Sequence, residues 1–409
     1  MHFSGNIETI AAISTPPGEG GVGIVRLSGT EAIAIAGRCF QSSAGRSLET
    51  HQRVFHGHIV DAAGQRLDEV LLHIMRAPHS YTREDVVEIN CHGGPAPLRA
   101  VLEETLRLGA RLARPGEFTL RAFLNGRIDL VQAEAVIDQI RARTRAGVLA
   151  ANAAASGLLS RRLGEMRERL AYCLSRLEAA VDFPEDDLGE LIDEALLRQL
   201  HEVHGDMTEL LDTADAGRLH REGAVCAIVG RPNVGKSSLF NALLRESRAI
   251  VSAVPGTTRD RIEEYISVDG IPVRLVDTAG MRETADEVEQ IGVRIAREVL
   301  QSANVILFVR DSTAPDIPED SALDVELSAI DTPVLLVMNK ADLAPDAPLP
   351  ASAQPYAGVA RVSATAGTGI AALEHHIASL LLGGVVLSPD QALLNRVHQK
   401  DSLRRAAEA

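Results

Sequence analysis

The chain has 409 residues, of which 45% are hydrophobic, 24% charged and 3% aromatic, and its 41 basic and 56 acidic side chains give a net charge of −15. Such a length asks for several domains of about 100–200 residues each, and the acidic balance argues against a protein that coats nucleic acid non-specifically. The four cysteines, spaced 52, 82 and 53 positions apart, form neither a metal pair nor a disulfide framework, no run reaches the apolar length of a membrane span, and MHFSGNIETI is no export signal, so a cytoplasmic protein with no membrane partner is expected.

In chain order, GVGIVRLS (21–28), EVLLHIMRA (69–77) and DVVEINCHGG (85–94) have the length and β-branched content of strands, and PAPLRAVLEETLRLGA (95–110) has helical spacing. An α+β domain is expected over residues 1–118. From Leu130 to Val181 the chain is rich in alanine, leucine and arginine, and Leu163, Met166, Leu170, Leu174, Leu177 and Val181 repeat as one stripe of a bundle helix. Charge is segregated here: residues 121–170 hold nine arginines against five acids, and residues 182–222 hold thirteen acids against three arginines. Both blocks read as solvated helix faces, with RNA binding by the basic one as the alternative. FPEDDLGE (183–190) interrupts the helix, and a second helical run follows to about Leu219.

From Arg221 the texture changes to apolar strands separated by helix-length segments: AVCAIVG (224–230), VRLVDTAG (273–280), NVILFVRD (304–311) and PVLLVMNKAD (333–342). Strands of this kind, buried on both faces, predict a doubly wound parallel sheet. The tail SPDQALLNRVHQKDSLRRAAEA (388–409) is helical again. The expected layout is therefore a helical domain over 119–218 plus 382–409, with an α/β domain over 219–381 inserted into it.

GRPNVGKS (230–237) fits the P-loop pattern GxxxxGK[ST] between a strand and a helix. Gly230 and Gly235 let the backbone amides curl toward phosphates, with Asn233 and Val234 between them. Lys236 reaches the β and γ oxygens, Ser237 offers its hydroxyl to Mg²⁺, and Ser238 lies in the helical turn that presents its positive end to the anion. In NKAD, Asn339 and Lys340 precede Asp342, whose carboxylate can accept from both the N1–H and the exocyclic amine of guanine, a pair that adenine lacks. Only three of the basic residues are lysines, and two of them, Lys236 and Lys340, fall in these two motifs. Asp277, Thr278, Ala279 and Gly280 form DTAG, suited to holding the metal's hydration shell and sensing the γ-phosphate. PGTTRD supplies Gly256 and two threonines, Thr257 and Thr258, one of which is expected on Mg²⁺. Ser363 and Ala364 are placed to complete the guanine pocket. Met281 stands where many regulatory GTPases carry a water-orienting glutamine, so an acid of ETADEVEQIG (283–292) is the candidate substitute.

These strings, together with TPPGEGGVGIVRLSG (15–29), EDVVEINCHGGP (84–95), ARPGEFTLRAFLNGRIDLVQAEA (113–135) and DFPEDD (182–187), resemble the MnmE (TrmE) family of tRNA-modification GTPases over nearly the whole chain. The resemblance implies an N-terminal folate-binding-like α+β domain, a helical domain and an inserted Ras-like P-loop G domain. It implies binding of 5-formyl-tetrahydrofolate, or a related one-carbon folate, at Arg26, Glu88 and Arg127, where the family often has lysine at the last position. It also implies Mg²⁺ on Ser237 and Thr258, K⁺ on Asn233, Ser252, Val254 and Thr257, and Glu289 orienting the attacking water. The implied assembly is a homodimer through the N-terminal domain that joins the FAD-dependent MnmG protein in a heterotetramer and acts on tRNA. The joint product is a 5-aminomethyl or carboxymethylaminomethyl group on the wobble uridine (U34), with K⁺-stimulated GTP hydrolysis when two G domains meet. The family pattern includes a C-terminal Cys-Ile-Gly-Lys motif that this sequence, ending at Ala409, does not contain, so a shortened helical domain is expected. The alternative reading is a GTPase switch in ribosome assembly or RNA binding, for which a folate pocket would have no use.

Overall fold

Residues 8–45, 48, 54–182, 193–246, 263–277, 300–314, 317–350, 355–383 and 392–409 are described by the computed structural model, in which the chain divides into two units, Met1–Val136 and Ile137–Ala409. In the first, β1 (Ile10–Ile13), β2 (Gly20–Ser28), β3 (Phe40–Ser42), β4 (Val54–Val60), β5 (Arg66–Met75), β6 (Val86–Gly93) and β7 (Arg111–Leu112) form one sheet. Its spatial order is β3-β4-β5-β6-β2-β1-β7. Helices α1 (Ala32–Cys39) and α2 (Pro95–Arg107) cover one face, where Ile35, Cys39, Leu98 and Val101 join Val25, Leu27, Leu72 and Ile89 in the core. Strand alternation sends the intervening residues to the other face, and the antiparallel β2–β6 register sets Arg26 opposite Glu88.

Helix α3 (Glu117–Leu124) is fastened to this unit by a buried arginine. Arg121 donates to the carbonyls of Ser28 (3.3 Å) and Glu8 (2.8 Å) and to the carboxylates of Glu84 (3.0 Å) and Glu117 (3.3 Å). Glu117 also accepts from Arg111 at 2.6 Å and from the Arg114 backbone N–H at 2.8 Å. Arg111 above all, against the opposing pull of burial and with help from Arg114 and Arg121, holds the Glu117 carboxyl down from 4.5 to about 2. A carboxyl whose folded pKa is depressed contributes stability above its unfolded pKa and loses it as the pH falls toward the folded one. Glu117→Gln should therefore be less stable than wild type in urea at pH 7, with the gap closing between pH 4.5 and about 2. A gap that did not change with pH would assign the loss to packing instead.

The second unit begins within α4 (Leu130–Arg141) and continues through α5 (Arg145–Ala155), α6 (Leu158–Asp182), α7 (Glu194–Asp212) and α8 (Ala214–Glu222). On α6 the buried positions are Leu159, Met166 and Cys173, with Leu163, Leu170 and Leu177 half-buried between them, while Leu174 and Val181 are exposed. The expected stripe is thus narrower and rotated, a strict heptad seam of the kind two helices share. Helix α7 answers with Leu196, Val203, Met207 and Leu210. Flanking the seam at seven-residue spacing, Arg162 pairs with Glu209 (2.7 Å), Arg169 with Asp206 (2.8 Å) and Glu202 (2.9 Å), and Arg176 with Asp193 (3.5 Å). The basic and acidic blocks of the sequence are therefore in part the two sides of one antiparallel helix pair.

A six-stranded sheet follows: β8 (Ala224–Val229), β9 (Glu263–Val268), β10 (Ile271–Asp277), β11 (Val305–Asp311), β12 (Val334–Asn339) and β13 (Gly358–Arg361), in the order β13-β12-β11-β8-β10-β9. Among the described residues its helices are α9 (Lys236–Glu246), α10 (Pro318–Ser328) and α11 (Ile370–Leu382). Alternate residues of β8 enter different cores, Cys226 and Ile228 on one side and Ala227 and Val229 on the other, as a sheet covered on both faces requires. The expected parallel sheet is present in β10, β8, β11, β12 and β13, and one edge strand, β9, runs antiparallel to β10. An Asp269-Gly270 turn with φ of 46° and 87° makes this hairpin, the backbone that Asp-Gly favours at a tight connection.

After the sheet, the chain returns to the helices through α12 (Val397–Glu408), which packs on α7. Leu394 N–H donates to Thr213 Oγ1 at 3.4 Å, and Arg396 pairs with Asp138 at 2.9 Å. The α/β domain is thus an insertion between helices that close on each other. Among the described residues no helix is long and apolar enough to cross a membrane, and no cluster of His, Cys, Asp and Glu forms a metal centre. All four cysteines are free and buried.

Candidate functional site

Parallel strands end together, and in the six-stranded sheet their carboxyl ends carry the expected chemistry. The P-loop follows β8, Asp277 ends β10, Asp311 ends β11 and Asn339 ends β12. Lys236 is only 6% exposed. Its Nζ donates to the carbonyls of Gly230 (2.8 Å) and Arg231 (2.6 Å), so the loop curls around its own cation. Ser237 Oγ donates to Asp277 Oδ2 at 3.3 Å, bringing the two expected magnesium-side groups together.

Asn339 ties this loop to the base-side loops. Its Nδ2 donates to Val234 O at 2.8 Å, and its Oδ1 accepts from Ala364 N at 3.0 Å. Ser363 is buried beside it and its N–H donates to Thr368 O at 3.0 Å. Lys340 reaches across to Asp311 Oδ2 (2.6 Å) and to Asn233 O (3.3 Å). Asn233 and Lys340 hold left-handed φ values of 66° and 60°, and strained residues of this type persist only where surrounding contacts over-determine them. Asn233, Ser238 and Asp342 are exposed.

Gly235 has φ +95°, and a Cβ there would meet Asn339 Nδ2 at 2.3 Å. Gly235→Ala should therefore displace the amide that joins the two loops and lower stability by about 1–3 kcal/mol through backbone strain alone. Thermal unfolding with and without GTP checks this: the ligand-induced rise in Tm should disappear along with part of the basal Tm.

Ser252, Val254, Gly256, Thr257, Thr258, Thr278, Ala279, Gly280 and Glu289 lie outside the described residues. Of the remaining expected nucleotide residues, Asn233, Val234, Lys340, Asn339 and Ala364 are joined by hydrogen bonds across the loops, and Ser237 is bonded to Asp277. Asp311, which holds Lys340, received no role from the sequence, where NVILFVRD registered only as an apolar strand.

In the first unit, the three expected folate residues also meet. Arg26 Nε donates to Glu88 Oε1 at 2.7 Å. The Arg26 guanidinium lies 5.6 Å from the Phe118 ring centroid and 5.9 Å from that of Tyr81, and the Arg127 guanidinium lies 4.8 Å from Tyr81. Tyr81 is anchored by its hydroxyl, 3.0 Å from Thr119 Oγ1. These two aromatic residues were not legible as site residues, because a single ring, in a loop at Tyr81 and in the first turn of α3 at Phe118, carries no spacing signal.

Comparison with known proteins identifies the family. Residues 9–127 match the N-terminus of the GTP-binding protein TrmE, and residues 130–409 match the MnmE helical domain. The tRNA modification GTPase MnmE of Chloroflexus aurantiacus is 49% identical over 98% of this chain and 88% of its own length. That of Moorella thermoacetica is 48% identical, and that of Alkaliphilus oremlandii 45%, with the same coverage. The chain belongs to the MnmE family of tRNA modification GTPases. It is accordingly a GTP-hydrolysing enzyme.

Proposed function

We propose that this chain hydrolyses GTP to drive modification of the wobble uridine U34 in tRNA, forming the 5-aminomethyl or carboxymethylaminomethyl group with an FAD-dependent partner, MnmG. The observation that carries the proposal is the pairing of a complete P-loop network with a separate cluster of Arg26, Glu88, Tyr81, Phe118 and Arg127 in one chain. A nucleotide switch alone would need only the first. The second has the chemistry for a one-carbon folate such as 5-formyl-tetrahydrofolate. Glu88 can accept from an aminopyrimidine edge, Tyr81 and Phe118 offer ring faces, and Arg26 and Arg127 suit an anionic tail.

In the nucleotide site, the P-loop amides and Lys236 would hold the β- and γ-phosphates, and Asp342 would select guanine, with Asn339, Ser363 and Ala364 shaping its pocket. The oxygens of Ser237 and Asp277, already paired, suit a hard cation such as Mg²⁺. With Thr258 as a further ligand, that ion would neutralise phosphate charge. Lys236 moves from the Gly230 and Arg231 carbonyls onto phosphate oxygens, where a cation in a poorly hydrated site stabilises the developing charge. We assign Glu289 to orienting the attacking water. Asn233, together with Ser252, Val254 and Thr257, is the set for K⁺ when two G domains meet, and the N-terminal domain is the homodimer surface.

Two measurements test this reading. Calorimetry of the full chain with 5-formyl-tetrahydrofolate should give selective binding that Glu88→Gln weakens at least ~10-fold, the cost of about one charge-assisted hydrogen bond. No binding would favour the ribosome-assembly alternative. GTP turnover should be faster in KCl than in NaCl, and Asn233→Ala should remove the difference. Equal rates in the two salts would end the potassium assignment.

A further inference from the structure

We propose that Asp311 is a positioning residue for nucleotide binding, holding Lys340 against the guanine ring and, through it, the Asn233 turn of the P-loop. This rests on the reading of NKAD as the guanine site, with the aliphatic stem of Lys340 lying along the base.

The Asp311 side chain is only 10% exposed. Each of its carboxylate oxygens is committed. Oδ1 accepts from Thr313 N (2.9 Å) and Thr313 Oγ1 (2.7 Å), while Oδ2 accepts from Lys340 Nζ at 2.6 Å. Burial opposes its ionisation, yet the Lys340 ammonium and the two Thr313 donors outweigh this and hold the carboxyl below its usual range. A lysine stem laid along a base must be kept from swinging into solvent, because four rotatable bonds and a strongly hydrated ammonium favour release. The carboxylate at the end of β11 supplies that restraint. The same ammonium donates to Asn233 O at 3.3 Å, so the restraint extends to a residue whose φ is +66°.

Asp311→Asn is nearly isosteric but cannot satisfy this arrangement. An amide has one oxygen, so its NH₂ must face either the Lys340 ammonium or the Thr313 N–H, donor against donor. Using a fluorescent GTP analogue and the full chain, Asp311→Asn should raise the dissociation rate of GTP and its Kd about 10-fold, the scale of one hydrogen bond to a charged group. The single-turnover rate at saturating GTP should fall less than about twofold. Inosine triphosphate, which lacks only the exocyclic amine, should lose affinity by the same factor, since Lys340 acts on the ring face and not on that amine. A double-mutant cycle separates positioning from general stability. In Lys340→Met, which keeps a straight stem without the charge, adding Asp311→Asn should cost nothing further. A full additional loss in that background, or an unchanged Kd in Asp311→Asn alone, would overturn the inference. If Asp342→Asn also left GTP affinity untouched, the guanine reading itself would fail; with Asp342 sensitive and Asp311 silent, only this inference would.

Discussion

Lys236→Ala should reduce single-turnover GTP hydrolysis at least ~10²–10³-fold, the scale on which enzymes lose rate when one preorganised donor to developing charge is removed. The lysine's surroundings make the effect larger than a surface charge could produce. It is 6% exposed and donates to two carbonyls of its own loop, so its removal leaves Gly230 O and Arg231 O without that donor as well as depriving the phosphates. Lys236→Arg should fail too, although it preserves charge, because a planar guanidinium cannot take the place of a compact ammonium between two loop carbonyls 2.8 and 2.6 Å away. Rapid-quench measurements at saturating GTP, with circular dichroism as the control for folding, decide the matter. Turnover within tenfold of wild type in either variant would remove Lys236 from the chemistry.

Asp342→Asn should exchange base specificity. A carboxylate accepts from guanine N1–H and its exocyclic amine, and losing two charge-assisted hydrogen bonds at about 1.5–3 kcal/mol each predicts ~10²–10⁴-fold weaker GTP binding. Xanthine keeps the N1–H but carries a carbonyl in place of the amine. An asparagine oxygen can accept from the former while its NH₂ donates to the latter, so xanthosine triphosphate should bind the variant more tightly than GTP. Competition of both nucleotides against a fluorescent GDP analogue reads out the ratio. A variant that still preferred GTP would show that the exposed carboxylate does not meet the base. The Asp311 test differs in kind, because it predicts equal losses for GTP and its amine-free analogue.

Most of the nucleotide site was legible because its motifs are local. A P-loop is a strand, a turn and a helix N-terminus in eight residues, and its phosphate chemistry needs only backbone amides and one lysine. The scarcity of lysine was a useful though imperfect guide: Lys236 and Lys340 lie in the network, whereas Lys400 makes an exposed pair with Asp215 at 3.0 Å. Asp311 stayed hidden, since nothing within NVILFVRD says that its last residue faces a lysine 29 positions later. Tyr81 and Phe118 were hidden for the same reason.

The fold divides along a similar line. Binary pattern and turn chemistry suffice for β2, β6, α2 and the four long parallel strands, because each element's period is written in its own residues. The antiparallel β9 could have been inferred from Asp269-Gly270, but a six-residue strand beside a buried run gave a weaker signal than the run itself. On α6 the amphipathic period was correct and four of the six expected positions, Leu163, Met166, Leu170 and Leu177, lie on the seam. Which hydrophobics are buried depended on α7, whose narrow seam leaves Leu174 and Val181 in water.

The opposed charge blocks are the clearest case. By itself the sequence determined that the basic and acidic segments exist, that a P-loop and a guanine-selecting loop share one domain, and that this domain interrupts a helical one. Only the tertiary structure decided that Arg162, Arg169 and Arg176 face the acids of α7, that Asn339 joins three loops, and that Arg26, Glu88 and Arg127 gather around Tyr81. The reason is range. Backbone period and motif spacing act over a few residues and can be read locally, whereas ion pairs and side-chain networks join positions tens or hundreds of residues apart, and their partners are set only when the chain closes on itself.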